Sequence, residues 1–209
     1  MIGCAVTLGQ DLKGRRVVIA GACHAPGPQI AKRLAEVGAR IVALDADGAG
    51  LQRLIHGCGA RVEPLTLTGD VPAALRRIGE AWGRAPLHGV INLLPLQQPR
   101  DINGQVRAAT ALTRAFARAL LAGQGGMVTV AAVPADPLNG LALGMGPALG
   151  AVGSATAGEL ARHGVRINSV LVPEAEPLRA MAPALALLCR DARDVTGQTI
   201  DLARHLLTS

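Results

Sequence analysis

No tyrosine occurs in the 209 residues, and Trp82 and Phe116 are the whole aromatic complement. A nucleic-acid surface that stacks bases on aromatic rings is therefore excluded, and a core must be built from Ala, Val, Leu and Ile. Lysine is nearly absent too: Lys13 and Lys32 are the only two, so the formal charge of +6 and the pI of about 10.1 come almost wholly from arginine. Those arginines are scattered through every helical segment instead of forming one basic stripe, which argues against nucleic acid as the partner. Cys4, Cys23, Cys58 and Cys189 share no ligand or disulfide spacing, so reduced thiols and no metal site are expected. No charged-then-apolar leader opens the chain and no apolar run reaches membrane-spanning length, so a soluble, cytoplasmic protein is expected.

What is present begins with RVVIAGACHAPGPQIAKRLAEVGARIVALD, residues 16–45. Val17, Val18 and Ile19 make the short apolar run of a strand buried on both faces. Ile30, Leu34 and Val37 then recur at helical spacing, with Pro28 suited to a first helical turn. Gly38 closes the helix, Ile41 to Leu44 give a second strand, and Asp45 stands at its carboxyl end. Asp45 follows Gly21 by 24 positions, close to the offset at which an acid holds the adenosine ribose in dinucleotide folds. The alternative for an acid at a strand end is a helix N-cap.

Strands and helices alternate along the rest of the chain. Strands are expected at residues 61–67, 90–94, 127–131, 165–172 and 199–202. Helices are expected at 51–55, 72–82, 106–120, 146–163 and 182–189, with loops at 95–103 and 134–144. With half its residues hydrophobic and 17% charged, the chain reads as one α/β domain: a Rossmann-like, doubly wound parallel sheet of about seven strands with helices on both faces. Residues 1–10 read as an N-terminal extension, and 11–209 as the domain.

Several phrases, in order, resemble the short-chain dehydrogenase/reductase family. DLKGRRVVIAGA resembles its opening and GACHAPG its TGxxxGxG turn. EAWGRAPLHGVIN resembles the approach to its NNAG motif, ELARHGVRINSV the phrase after its active-site helix, and DARDVTGQTIDL its C-terminal segment. The resemblance implies a dinucleotide site at Gly21, Gly27, Asp45 and Asn92, as a remnant: Ala25 replaces the second glycine, Pro26 and Pro28 remove two N–H groups, and Leu93-Leu94-Pro95 replaces the rest of NNAG. It also implies where the family's acid/base groups would fall. Ala142 stands at the tyrosine position, Gly146 at the lysine position and Ala132 at the serine position. Gln105 stands near the relay asparagine position, with Asn103 two residues away.

With no tyrosine, the family's proton chemistry is absent, and no catalytic residue is assigned. The resemblance then implies a catalytically silent subunit, not an enzyme on its own, with no cofactor required, or NAD if the remnant site still binds. Its expected partner is an active short-chain dehydrogenase subunit, in families of this kind including ones acting on acyl-CoA thioesters. The hetero-oligomer, expected to be a tetramer, would form through helices 105–122 and 146–163. Two rival expectations stand beside it: a regulatory protein that retains NAD without chemistry, and an oxidoreductase with non-standard residues around His24, Asp136 or Glu159. Cys23, ahead of a helix, is either a reactive thiol or a small filler of the turn.

Overall fold

A computed structural model of the chain describes residues 11–97, 101–133 and 140–203, with the side chains at 140–143 and 145 outside that description. The expected extension at 1–10 lies outside the described residues. Seven strands form one parallel sheet in the order β3-β2-β1-β4-β5-β6-β7. They are β1 (Arg16–Ala20), β2 (Arg40–Asp45), β3 (Val62–Thr66), β4 (Gly89–Asn92), β5 (Gly126–Val133), β6 (Arg166–Pro173) and β7 (Thr199–Asp201). The expected architecture is therefore present.

Strand alternation sends successive side chains to opposite faces, and here both faces are covered. Val17 and Ile19 join Ile41, Ile91, Val128 and Val170 beneath α1 (Gly27–Glu36), α2 (Gly48–Cys58) and α7 (Met181–Leu188). Val18 and Ala20 join Leu44, Val90 and Met127 on the other face, under α3 (Val71–Trp82) and α5 (Ile102–Gly123). Phe116 is fully buried and meets Trp82 edge-on, with ring centroids 5.4 Å apart. Such a pair contributes about 1 kcal/mol beyond its buried area. Small residues let α3 and α5 approach closely: a Cβ at Gly79 would sit 2.7 Å from the Ala115 Cα.

Three element boundaries differ from the sequence expectation. β4 stops at Asn92, because the Asn92 side chain accepts the Leu94 N–H at 3.2 Å and turns the chain into the short helix α4 (Leu94–Gln97). The last long helix, α6 (Gly140–Leu160), starts earlier than expected and carries Pro147 in its interior. α2 runs through Gly57 to Cys58, and Gly59 at φ +67° ends it.

Arg166 opens β6 almost fully buried. Its guanidinium donates to the carbonyls of Leu187, Leu188 and Cys189 at 3.3, 3.1 and 2.6 Å, satisfying the unpaired carbonyls that end α7 and setting a positive charge against that end of the helix. Burial pulls its pKa below the usual guanidinium value. Among the described residues, no helix is long and apolar enough to cross a membrane.

Candidate cofactor site

Parallel α/β sheets bind ligands outside the carboxyl ends of their strands, where the strand order reverses. That place lies here between β1 and β4. The turn after β1 folds over β2: Gly21 and Ala22 both donate to the Leu44 carbonyl, at 2.8 and 3.3 Å. Gly21 adopts φ +82°, and a Cβ there would lie 2.9 Å from the backbone of Leu93 and Leu94. A Cβ at Gly27 would overlap the Ala22 carbonyl oxygen. Both glycines are thus required by the chain's own packing.

Proline shapes the donor supply at the start of α1. Pro26 and Pro28 have no N–H, and the Gly27 N–H donates to the His24 carbonyl at 2.7 Å. The N–H groups of His24, Ala25 and Gln29 have no acceptor among the described residues.

Asp45 is almost wholly buried and accepts three hydrogen bonds. Its Oδ2 takes the Cys23 N–H at 2.9 Å and the Gln97 side-chain amide at 3.1 Å, and its Oδ1 takes the Asp47 N–H at 3.0 Å. The N-cap alternative is excluded. Asp47 caps α2, accepting the Gly50 N–H at 2.9 Å and pairing with Arg53 at 3.2 Å, and its capping bond lowers its pKa. Gln97 also lies 3.4 Å from the His24 ring, so one amide joins the exposed imidazole to the buried carboxylate.

Cys23 is the small filler. Its thiol faces the Asp47 carbonyl at 3.5 Å, and burial together with the Asp45 charge pushes its pKa up to about 12. The reactive thiolate is thereby disfavoured. Asn92 is fully buried at the end of β4, and its Nδ2 has no hydrogen-bond partner among the described residues. A cavity of about 350 Å³ opens beside Gln97, bordered by Asp70, Val71, Leu94 and Gln105.

The positions implied for the family's acid/base groups do not reassemble into a substitute. Ala132 is buried in β5, and Ala142 lies on α6 among the side chains not described. A Cβ at Gly146 would press on Leu171, so that position packs against β6. Lys13 sits by Gly38 at the amino end of the strands and Lys32 is exposed on α1. Gln105 is buried near the cavity and Asn103 is exposed. Of the non-standard candidates, His24 is at the carboxyl edge, Glu159 lies at the far end of α6, and Asp136 is outside the described residues. The sequence reading missed Gln97, which carried no signal because it contacts Asp45 from 52 positions away.

No family model matches the chain. It is 27% identical over 188 aligned positions to an uncharacterized oxidoreductase of Mycobacterium tuberculosis, found in two strains, covering 77% of this chain and 67% of the relative. A solved short-chain dehydrogenase/reductase family oxidoreductase from Burkholderia thailandensis superposes with a TM-score of 0.75 at 21% identity, over 94% of each chain. A short-chain type dehydrogenase/reductase from Mycobacterium marinum gives 0.77 at 21%, over 98% of this chain and 99% of that one. The chain has the short-chain dehydrogenase/reductase fold. These findings correct the expectation that it is no enzyme on its own: its matched relatives and fold neighbours are named as oxidoreductases, which points to an enzyme. The physical flaw in that expectation is plain. A missing tyrosine removes one proton donor, not every route by which a substrate oxygen exchanges a proton.

Proposed function

We propose that this chain is an oxidoreductase of the short-chain dehydrogenase/reductase family that binds a nicotinamide dinucleotide at the carboxyl edge of the sheet and works without a tyrosine acid. The observation that carries this reading is the alignment, across most of the chain, with relatives named as oxidoreductases, set on the same fold. The residues present fit the adenosine half of the group. Asp45 stands at the end of β2 with Gln97 as the one side-chain amide a ribose would replace, the buried Asn92 amide has an unspent donor, and the turn between Gly21 and Gly27 has N–H groups at His24 and Ala25 with no acceptor among the described residues. When bound, the dinucleotide supplies a hydride donor or acceptor. The chain's own part is to hold its adenosine half through Gly21, Gly27, Asp45 and Asn92. Among the described residues His24 is the histidine at that edge, and we assign it the proton exchange.

The test is turnover of NADH and NADPH against a panel of aldehydes, ketones and enones, followed by nicotinamide absorbance. Oxidation above the protein-free rate, reduced in His24→Ala, supports the proposal; a blank panel with both cofactors contradicts it.

For assembly, we propose association with another chain of the same fold through α5 and α6. Support comes from α6, which exposes the small residues Ala151, Ser154, Ala155 and Gly158 along one face, where helices can pack closely. Native mass spectrometry of the protein taken from its host tests this: a monomer contradicts it.

A further inference from the structure

A cavity of about 420 Å³ opens at the amino ends of the strands, at the opposite edge of the sheet from Asp45 and Asn92. Four stretches of chain meet there: the residues ahead of β1, His88 ahead of β4, Arg166 at the start of β6, and the turn that follows α7. Hydrogen bonds tie these stretches together. The His88 N–H donates to the Arg16 carbonyl at 3.0 Å, and the Arg190 N–H donates to Asp11 Oδ2 at 2.6 Å. Arg166 holds the carbonyls that end α7. A site on such a frame needs little reordering to receive a ligand.

Charge in the cavity is unbalanced. Arg15, Arg166, Arg190 and Arg193 line it against two carboxylates, Asp11 and Asp194. Arg193 and Asp194 lie 3.7 Å apart and are both largely exposed, so that pair is worth little. Arg15 and Arg190 make no ion pair among the described residues. His88 adds a donor: its Nδ1 accepts the Arg16 N–H at 3.3 Å, so the proton of the neutral ring sits on Nε2. Burial, then the charges of Arg15, Arg190 and Arg16, lower its pKa; the cations crowd one another.

The arrangement selects among anions. Donors from three separate segments, Arg15, His88 and Arg190, suit the three terminal oxygens of a phosphate. A planar carboxylate is satisfied by one guanidinium fork. Leu12 and Leu188 give the cavity an apolar wall for a carbon skeleton. Its volume falls at the small end of ligand pockets, and no aromatic side chain lines it to stack a base.

We propose that this cavity binds a small phosphate monoester, at a site separate from the dinucleotide edge. Of α5 it includes only the final residue, Gly123, and of α6 none, so it does not draw on the side faces of those helices. The inference does not depend on the dinucleotide reading.

The experiment is calorimetric titration of the full chain in low salt at about pH 7.5, with glycerol 3-phosphate, ribose 5-phosphate and glucose 6-phosphate as probes. At least one should bind at least tenfold more tightly than inorganic phosphate and than gluconate, a single carboxylate of like size. Arg15→Gln/Arg190→Gln should weaken that binding at least tenfold, and Arg190→Gln alone about threefold or more. Arg53→Gln, beside the dinucleotide edge, should leave it unchanged. Thermal melts of the variants report folding. No binding by any of the three probes, equal binding of gluconate or inorganic phosphate, a folded double variant that binds like the wild type, or loss of binding in Arg53→Gln would each overturn the proposal.

Discussion

The Gln97 amide lies 3.1 Å from Asp45 Oδ2, sharing with the Cys23 and Asp47 N–H groups a carboxylate that is only 2% exposed. In this fold an acid at the end of the second strand is the natural partner of ribose hydroxyls. Here that acid is engaged by a side chain that a ribose would have to replace.

Gln97→Ala should therefore strengthen dinucleotide binding, by a factor of about three to ten, the equivalent of roughly 1 kcal/mol for one released hydrogen bond. Calorimetric titration with NADH measures it. Unchanged or weaker binding would show that the amide does not compete for the carboxylate.

Asp45 also holds its own neighbourhood together. Asp45→Ala leaves the Cys23 and Asp47 N–H groups without their acceptor, and should cost about 2–4 kcal/mol of folding stability. Urea denaturation reads this directly. A loss below about 0.5 kcal/mol would mean that water satisfies both groups.

Cys23 should be a slow nucleophile at neutral pH. With its pKa pushed up to about 12, its alkylation by iodoacetamide should keep rising beyond pH 10, where an ordinary thiol has levelled off. The same shift makes stability pH-dependent. The unfolded thiol ionises first, so stability is intact below about pH 9 and declines as pH rises toward 12. Peptide mapping by mass spectrometry follows the alkylation, and a plateau near pH 9 would contradict the burial argument.

His88 gives the opposite dependence. Burial, then the charges of Arg15, Arg190 and Arg16, hold its pKa below the ordinary 6.5. The ring stays neutral in the fold while the unfolded chain takes up a proton. Stability conferred by neutral His88 is present above about pH 6.5 and lost as pH falls through its lowered folded value. Thermal melts between pH 5 and 7 should show a fall that flattens in His88→Gln.

The sheet and its helices were legible because their signals are local. The Val17–Ile19 run, the Ile30–Leu34 spacing and the glycine at 38 each act within a few residues, and buried parallel strands leave little freedom in how such segments pair. Asp45 was legible as a position but not as an environment, since its partner Gln97 comes from another βα connection. The turn at Asn92 is not legible because apolar Val90-Ile91 and Leu93-Leu94 flank it as a strand would, and only the Asn92 side chain bonding to Leu94 ends the strand. The absent tyrosine was fully legible. What it implied was overstated, because absence of one acid says nothing of the group that takes its place.

Calorimetric titration of NADH and NADPH into wild type and Asp45→Asn is the most direct test of a dinucleotide site in this fold. Saturable binding of one dinucleotide per chain is expected for the wild type, weakened at least tenfold by Asp45→Asn while the variant still melts cooperatively. No binding to the wild type, or binding indifferent to the substitution, would contradict it.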